Sequence, residues 1–371
     1  MKSKIIAIAL LFLFAITLFG CAQAEQTTTD NDNTTAQAEP KEVITWKVQG
    51  FTPAGTLYDD WGKHLANLIT ELSGGRLVIE WYPSGAIVPA FEAPAAVRDG
   101  ILDAEFGYSG IWAGIKFAAP LFTATPGLFS DARDMLMWLW HGGGMELWSE
   151  MVADYNVVVF PAGLIDSEIF MWSNEPLRTL EDLKGKKLRM MPLMGKILEE
   201  KGYSVVFLPG GEIIPSLERG VIDAAEYSIP AFDITLGFQD VAKYYHFPAI
   251  HQPSGVQEFV INKDKWNALP DDLKRIVEYA TQINLLYTWT QQGALNIKAL
   301  EEFEKMGLEK VVMEEEAVKE MMRWIDEWFA EKSKEDPFLA RVRESQIEFA
   351  KWWFPYKQSM MLPYPDWALE E

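Results

Sequence analysis

The chain has 371 residues with 33 basic and 54 acidic side chains, which gives a formal net charge of −21, and 49% of its residues are hydrophobic. This acidic balance argues against nucleic acid as a partner, because phosphate backbones are bound by clustered lysine and arginine. The chain contains a single cysteine, Cys21, so it cannot form an internal disulfide. The roughly 330 residues after the N-terminal segment exceed one usual hydrophobic core, so we expect two lobes.

The N-terminus has the pattern of a secretory signal. Two lysines precede an apolar run at 5–19 that is shorter than the roughly 18–20 residues needed to cross a bilayer. Residues 18–21, LFGC, resemble a bacterial lipobox, which predicts cleavage after residue 20 and lipidation of Cys21. An ordinary cleaved signal is the alternative. The rest of segment 21–41 is polar and threonine-rich without an aromatic residue, so we expect a disordered tether to a membrane anchor.

From residue 43 onward, strand and helix patterns alternate. Residues 43–50 and 76–83 read as strands around a helix whose apolar residues recur from Trp61 to Leu72 and which ends at Ser73-Gly74-Gly75. Residues 91–110 repeat the order of helix, glycine and strand. Strand, helix and strand in this order predict βαβ units, so the fold class is α/β with a partly parallel sheet.

A glycine triplet at 142–144 splits two helical segments. Such a triplet could hold a phosphate, but no P-loop lysine follows it and no strand precedes it, so we predict a tight turn between helices. Strands are predicted at 156–163 and 168–176. A short helix capped by Thr179 and stopped by Gly185 is expected to lead into the strand that carries Arg189.

Later segments predict a helix and strand within 210–230, a strand at 257–266, and then a long helix. The C-terminal third is mostly helical by pattern.

Three charged side chains fall at the ends of predicted strands, where open parallel sheets bind their ligands. Arg189 can hold a carboxylate with two parallel hydrogen bonds. Glu226 and Glu168, with a backbone carbonyl, could form an oxygen-rich site for a hard cation. Each of the three also fits an ordinary surface charge or salt bridge. The four histidines, His64, His141, His246 and His251, show no metal-binding spacing, so we expect structural or rim roles.

Five segments in order, at 71–106, 141–148, 180–192, 208–227 and 243–270, resemble the solute-binding (DctP-type) subunit of tripartite ATP-independent periplasmic (TRAP) transporters. The most specific are GKKLR at 185–189 and the GGEI and LERGVIDA stretches within 210–224. The similarity covers about residues 43–360 and is greatest to the branch that binds 2-oxo acids and lactate, often with a cation.

The resemblance implies a two-lobe periplasmic binding protein fold, with crossing strands, long connecting helices and a hinge that closes on the ligand. We place one lobe at 42–162 plus 253–300 and the other at 163–252 plus 301–345. A helical, aromatic tail is expected at 346–371, where the amphipathic segment 340–365 either mediates a homodimer or packs on its own chain.

The resemblance also implies roles for individual residues. Arg189 matches the arginine that salt-bridges the substrate carboxylate, and Glu226 with the Tyr227 carbonyl matches the cation ligands. Glu168 stands where the branch commonly has glutamine, so its added charge favours Ca²⁺ over Na⁺, or it pairs with a positive group on a different substrate. The expected substrate-binding residues are Arg189, Glu168, Phe170, Trp172, Tyr227 and Phe232, although aromatic residues are more often part of a core.

The function expected from the resemblance is capture of a small organic acid outside the cytoplasm and delivery to a TRAP membrane permease, by a lipid-anchored protein that is not an enzyme and has no catalytic cofactor. Three alternatives remain. Glu168 and Glu226 could serve as acid and base of an anchored hydrolase. The protein could instead bind sugars or peptides for an ATP-driven importer, or act as a tethered sensor.

Overall fold

The computed structural model describes residues 43–365. The predicted signal at 1–20, the lipidated Cys21, the tether at 21–41 and the last residues of the C-terminal tail lie outside this range. Within the described residues, no helix is both long and apolar enough to cross a membrane.

The strands of the described range form two sheets. The first sheet contains β1 (Ile44–Gly50), β2 (Leu77–Tyr82), β3 (Ala104–Gly107), β4 (Val157–Ile165) and β10 (Gly255–Asn262), in the order β2-β1-β3-β10-β4. The second sheet contains β5 (Met171–Ser173), β6 (Lys187–Arg189), β7 (Ser204–Val206), β8 (Ala224–Ala225), β9 (Tyr244–Phe247) and β11 (Glu309–Val312), in the order β11-β9-β5-β8-β6-β7.

Twelve α-helices in residues 43–365 pack around these sheets. They are α1 (Leu57–Leu72), α2 (Ala93–Arg98), α3 (Ala132–His141), α4 (Gly144–Val152), α5 (Pro192–Glu200), α6 (Gly210–Glu218), α7 (Pro230–Leu236), α8 (Phe238–Val241), α9 (Lys263–Ala268), α10 (Asp271–Lys305), α11 (Glu315–Lys332) and α12 (Pro337–Met360). Helix α10 packs on β4, α1 and α7.

The predicted βαβ unit at the start of the body is confirmed. Strand β1 pairs in parallel with both β2 and β3, and α1 connects β1 to β2. Thr56 caps α1, because its side chain accepts a hydrogen bond from the backbone N–H of Asp59. Trp61, Leu65 and Ile69 are buried on one face of the helix, as their spacing predicts.

The glycine triplet is a turn between α3 and α4, as predicted. Gly143 has a φ of +85°, a left-handed conformation that favours glycine. A Cβ on Gly144 would lie 2.8 Å from the Cα of Leu139, so the two helices approach too closely for a larger residue.

The short helix predicted after Thr179 is wrong, because this segment is a turn. The capping contacts do exist: the Thr179 hydroxyl accepts from the Asp182 N–H at 3.2 Å, and Asp182 accepts from the Thr179 N–H at 2.8 Å. Gly185, with a φ of +76°, then ends the segment after too few residues for a helix to propagate.

The chain crosses between the sheets three times. Two crossings are neighbouring segments, 166–170 between β4 and β5 and 248–254 between β9 and β10, and the third runs from β10 through α9 and α10 to β11. The backbone N–H of Glu168 donates to the carbonyl of Gln252 at 3.3 Å, so the two crossing segments are bonded to each other. This pair of crossings is where a hinge between the sheets would lie.

An unusual feature of the first sheet is a pair of fully buried carboxyl groups, Glu105 on β3 and Glu258 on β10. Glu258 is opposite Gly107, and Glu105 occupies the space that a side chain on Gly107 would need. Burial raises the pKa of Glu258 to about 8. Burial, and then the charge of Glu258, raise the pKa of Glu105. Between the pKa of a free glutamate and these raised values, the folded protein therefore keeps protons on Glu105 and Glu258 that the unfolded chain would release.

We predict that this pair makes folding stability fall as pH rises from about 4.3, the value of a free glutamate, toward the folded-state value of about 8. The folded state binds more protons in this window, so each rise in pH favours unfolding. Urea denaturation would measure the free energy of unfolding at pH 5 and at pH 9. The decrease between these two pH values should be smaller in Glu258→Gln than in wild type, by a few kcal/mol at most. The exposed Glu348→Gln serves as control, and identical pH slopes in wild type and Glu258→Gln would contradict the prediction.

Candidate functional site

A cavity of about 390 Å³ lies between the carboxyl ends of the parallel strands of the two sheets. From the first sheet, Phe51 follows β1 and Tyr108 follows β3. From the second sheet, Arg189 ends β6 and Tyr227 follows β8. This is the position at which open parallel sheets bind their ligands.

Arg189 lies on the cavity wall with its side chain only 3% exposed. Its Nη1 donates to the Glu226 carboxylate at 2.7 Å and to the Glu226 carbonyl at 2.8 Å, and its Nε and Nη2 donate to the Leu208 carbonyl. The guanidinium centre is 5.4 Å from the ring centroids of Phe207 and of Tyr227. These contacts fix the orientation of the arginine, as is typical of an anion-binding fork.

Glu226 is fully buried behind Arg189. One carboxylate oxygen, Oε1, accepts from Arg189 and from the backbone N–H of Met191 at 2.6 Å. The other oxygen, Oε2, is buried and has no hydrogen-bond partner among the described residues. An unpartnered carboxylate oxygen in the interior is costly, so this atom calls for a positively charged or donating partner.

Glu168 lies on the first crossing segment and is held by residues of the second. Gln252 Nε2 donates to Glu168 Oε1 at 2.7 Å, and His251 Nε2 is 3.1 Å from Glu168 Oε2. The Tyr108 hydroxyl donates to Gln252 and extends the network to the first sheet. The position of the Glu168 carboxylate is therefore set by the contact between the two crossings.

Burial shifts the pKa values of Glu168 and of the titratable groups around it. Burial, followed by the charge of Glu226, raises the pKa of Glu168. Burial lowers the pKa of His251 to about 4, so its imidazole is neutral at pH 7. Burial and the Glu168 charge raise the pKa of Tyr58 and of Tyr108, whose hydroxyls therefore remain protonated hydrogen-bonding groups.

The residues present fit a cation. Three buried side chains, Glu168, Glu226 and His251, each offer one potential ligand atom, a carboxylate oxygen or an imidazole nitrogen. These three atoms lie within 4.8 Å of one another. The unpartnered Glu226 Oε2 is 3.7 Å from His251 Nε2. Two carboxylates and a neutral imidazole are donors suited to a divalent cation. The Tyr227 carbonyl remains a predicted further ligand.

The structure brings together four of the residues predicted for substrate and cation: Arg189, Glu168, Glu226 and Tyr227. It corrects the expectation for three aromatic residues, Phe170, Trp172 and Phe232, which are fully buried in core clusters and are absent from the cavity wall.

Their packing explains why Trp172 and Phe232 are not part of the wall. Trp172 stacks on Phe238 at 5.4 Å and donates its indole N–H to Asp233 at 2.7 Å. Phe232 packs at 4.4 Å from the ring of Tyr58, which itself lines the cavity. Phe232 therefore supports the wall from behind.

Sequence reasoning missed Tyr58, Tyr108, His251 and Gln252. Tyr108 lies near the end of the strand predicted within 91–110, and this position was the one signal that could have identified it. Tyr58 lies in the first turn of α1, the helix that follows the first strand. His251 was expected to have a structural or rim role, but it is buried against both glutamates. Its role depends on a contact with Glu168 across 83 residues, for which the sequence gives no signal.

Comparison with known proteins identifies relatives across most of the chain. Residues 49–335 match the model of the family described as bacterial extracellular solute-binding protein, family 7 (DctP). The monocarboxylate 2-oxoacid-binding periplasmic protein of Nostoc sp. (strain PCC 7120) is 30% identical over 305 residues, which cover 82% of this chain and 83% of that protein.

Solved structures share the fold. A TRAP periplasmic solute-binding protein from Pseudoalteromonas atlantica, with bound sodium and pyruvate, has 26% identity and a TM-score of 0.81 over 86% of this chain and 97% of that one. One from Colwellia psychrerythraea, with bound calcium and pyruvate, has 26% identity and a TM-score of 0.82 over 86% and 98%. An apo open structure from Rhodobacter sphaeroides, also 26% identical, has a TM-score of 0.64 over 83% and 98%.

These matches confirm the predicted two-lobe periplasmic binding protein fold. The extent of the family match, together with the 30% identity to the Nostoc protein, decides the family. This chain belongs to family 7 of the bacterial extracellular solute-binding proteins, the DctP family of TRAP transporter solute-binding subunits.

Proposed function

We propose that this protein captures a small monocarboxylate, a 2-oxo or 2-hydroxy acid, together with a cation and presents it to the membrane permease of a TRAP transporter. Arg189 carries the proposal, because it is the one cationic side chain on the cavity wall among the described residues. The pyruvate in two related structures and the 2-oxoacid-binding relative support the same ligand class.

Arg189 has one N–H donor whose present hydrogen bond is weak, so a ligand can replace that partner with little loss of free energy. One of its Nη2 contacts is to the Met191 sulfur at 3.8 Å, and a thioether is a weak acceptor. Met191 lines the cavity, so a carboxylate entering there can replace the sulfur as partner of Nη2. The hydrogen bonds of Nη1 to Glu226 keep the guanidinium in place during this exchange.

Glu168, Glu226 and His251 would hold the cation, which would supply positive charge to the buried carboxylates and to the ligand. Carboxylates bind a metal ion in their deprotonated form. With a cation bound, the two glutamates and the ligand carboxylate would therefore carry three negative charges against the single positive charge of Arg189. The remaining excess of two negative charges favours a divalent over a monovalent ion. Leaving such charges unneutralised in the interior costs several kcal/mol per ion.

Ligand binding is coupled to closure of the lobes in this proposal. The cavity receives side chains from both sheets, and Tyr58 from the first is hydrogen-bonded to Ser228 from the second. The TM-scores of 0.81 and 0.82 to pyruvate-bound relatives, against 0.64 to an open one, support a closed arrangement. A ligand that contacts both walls stabilises this state by differential affinity, and the permease recognises it.

Binding proceeds without turnover, and the protein is held outside the cytoplasm by a lipid on Cys21 followed by the tether at 21–41. The lipid anchor rests on the sequence pattern at 18–21. A polar tether would allow the folded body to reach the permease while remaining attached to the membrane.

We also propose a homodimer formed through α12. Trp352 and Tyr356 are 63% and 56% exposed and lie one helical turn apart, followed by exposed Met361, Leu362 and Tyr364. Light scattering should give the mass of two chains, and Trp352→Glu should give the mass of one. Tyr279→Glu, on an exposed position of α10, is the control. A wild-type mass of one chain would contradict the dimer.

The anion site is tested by Arg189→Lys. This variant keeps a positive charge beside buried Glu226 and so protects the fold, but it loses the planar fork. We expect affinity for pyruvate and lactate to fall at least about tenfold, the effect of losing one charge-assisted hydrogen bond. Calorimetric titration would measure this, and the neutral amide pyruvamide should bind poorly to both proteins.

Arg323→Lys provides the matched control, because Arg323 is an exposed, salt-bridged arginine on α11. Its affinity should equal that of wild type. Unchanged affinity in Arg189→Lys, or amide binding as tight as acid binding, would remove Arg189 from the proposed site.

Cation selectivity is tested by Glu168→Gln. In wild type stripped of metal, pyruvate binding should require a divalent ion such as Ca²⁺ or Mn²⁺. The glutamine removes one negative charge but keeps an oxygen, so Na⁺ should suffice in the variant and its Ca²⁺ affinity should fall. Calorimetry with each ion would measure both effects, with exposed Glu212→Gln as control. The same ion dependence in wild type and Glu168→Gln would contradict this assignment.

A further inference from the structure

The cavity is larger than the smallest expected ligands need. Its volume is about 390 Å³, whereas a water molecule in the liquid takes about 30 Å³. Pyruvate has six non-hydrogen atoms. Even if each of them took up as much volume as a water molecule, pyruvate would fill less than half of the cavity. The remaining volume leaves room for a larger ligand to contact the side chains that line the cavity.

The wall of the cavity is mostly apolar and carries few charges. Apart from Arg189 and Glu168, every residue that lines the cavity is uncharged, and the large apolar side chains among them are Phe51, Phe91, Ile111, Ile165, Phe207 and Leu236. A ligand with one charged end and an apolar remainder matches this distribution. A second carboxylate would find no cation on this wall.

The aromatic residues form a continuous path away from Arg189. The ring of Phe207 is 5.4 Å from the guanidinium, and the ring of Phe91 is 5.8 Å from that of Phe207. Phe91 and Phe207 are 48% and 38% exposed, which is unusual for large apolar side chains that also face a cavity. They come from the two sides of the cleft, so a tail reaching them would be covered from both lobes.

We infer that the preferred ligand is a monocarboxylate with a bulky apolar tail, such as a longer-chain, branched or aromatic 2-oxo acid, whose carboxylate binds Arg189 while its tail packs against Phe207 and Phe91. This inference rests on the proposed function and narrows its substrate class. Because burial of one methylene contributes about 0.8 kcal/mol, each added methylene should tighten binding by about fourfold until the cavity is filled.

The test is a calorimetric series on the purified protein in calcium. The series contains pyruvate, 2-oxobutyrate, 2-oxopentanoate, 2-oxohexanoate, 4-methyl-2-oxopentanoate and phenylpyruvate, with 2-oxoglutarate as the dicarboxylate of the same length as 2-oxopentanoate. We expect affinity to rise by about threefold to fourfold per methylene, phenylpyruvate to bind more tightly than pyruvate, and 2-oxoglutarate to bind more weakly than 2-oxopentanoate.

Three outcomes would contradict the inference, and one of them would also contradict the proposed function. If pyruvate binds most tightly and longer acids bind progressively more weakly, the tail inference is overturned while the proposed function stands. If no acid in the series binds, both are overturned. A 2-oxoglutarate affinity above that of 2-oxopentanoate would also overturn the inference, because it would require a second anion site on the wall.

The location of the tail is tested by Phe91→Ala. Phe91 is half-exposed, so its removal should leave the fold intact. The gain in affinity from pyruvate to 2-oxohexanoate should shrink by at least about threefold, the worth of one buried methylene, relative to wild type. Tyr279→Ala, which removes a 57% exposed aromatic side chain on α10, should keep the full gain. Equal gains in wild type and Phe91→Ala would place the tail elsewhere and overturn the assignment.

Discussion

Two carboxylates, Glu168 and Glu226, are buried beside a single arginine at the point where the chain crosses between its two sheets. Burying this much negative charge is unfavourable unless it is paired, hydrogen-bonded or neutralised by a cation. Arg189, the Met191 N–H and the Gln252 amide satisfy part of the demand. Glu226 Oε2 keeps no hydrogen-bond partner among the described residues, and in the proposed function a cation and its acid supply the missing interactions.

The fold places these buried charges beside the two neighbouring crossings between its sheets. Glu168 lies on one crossing segment and its partner Gln252 on the other, while Arg189 and Glu226 end neighbouring parallel strands of the second sheet. The aromatic residues of the first sheet form the opposite wall. In the proposed function, a ligand that pairs with the charged groups also contacts both walls of the cleft, so neutralising the buried charges would be coupled to closure.

The sequence predicted the parts of the site that depend on local pattern. The positions of Arg189 and Glu226 at strand ends are confirmed, because strand ends can be found from alternation and glycine stops, while their roles in binding stay predictions. The role of His251 was missed, because it depends on a contact formed across 83 residues. Phe170 and Trp172 were expected on the cavity wall, since alternation separates the two faces of a strand but does not tell which one meets a cavity. The helix expected at Thr179 failed because a capping pattern marks a turn as well as a helix start.

A crystal structure of the protein grown with a 2-oxo acid and calcium would test the account most directly. The account predicts the ligand carboxylate within hydrogen-bond distance of the Arg189 guanidinium. It also predicts an anomalous scattering peak for calcium between the carboxylates of Glu168 and Glu226. A ligand bound in this cavity without contact to Arg189, or a metal bound away from both glutamates, would contradict it.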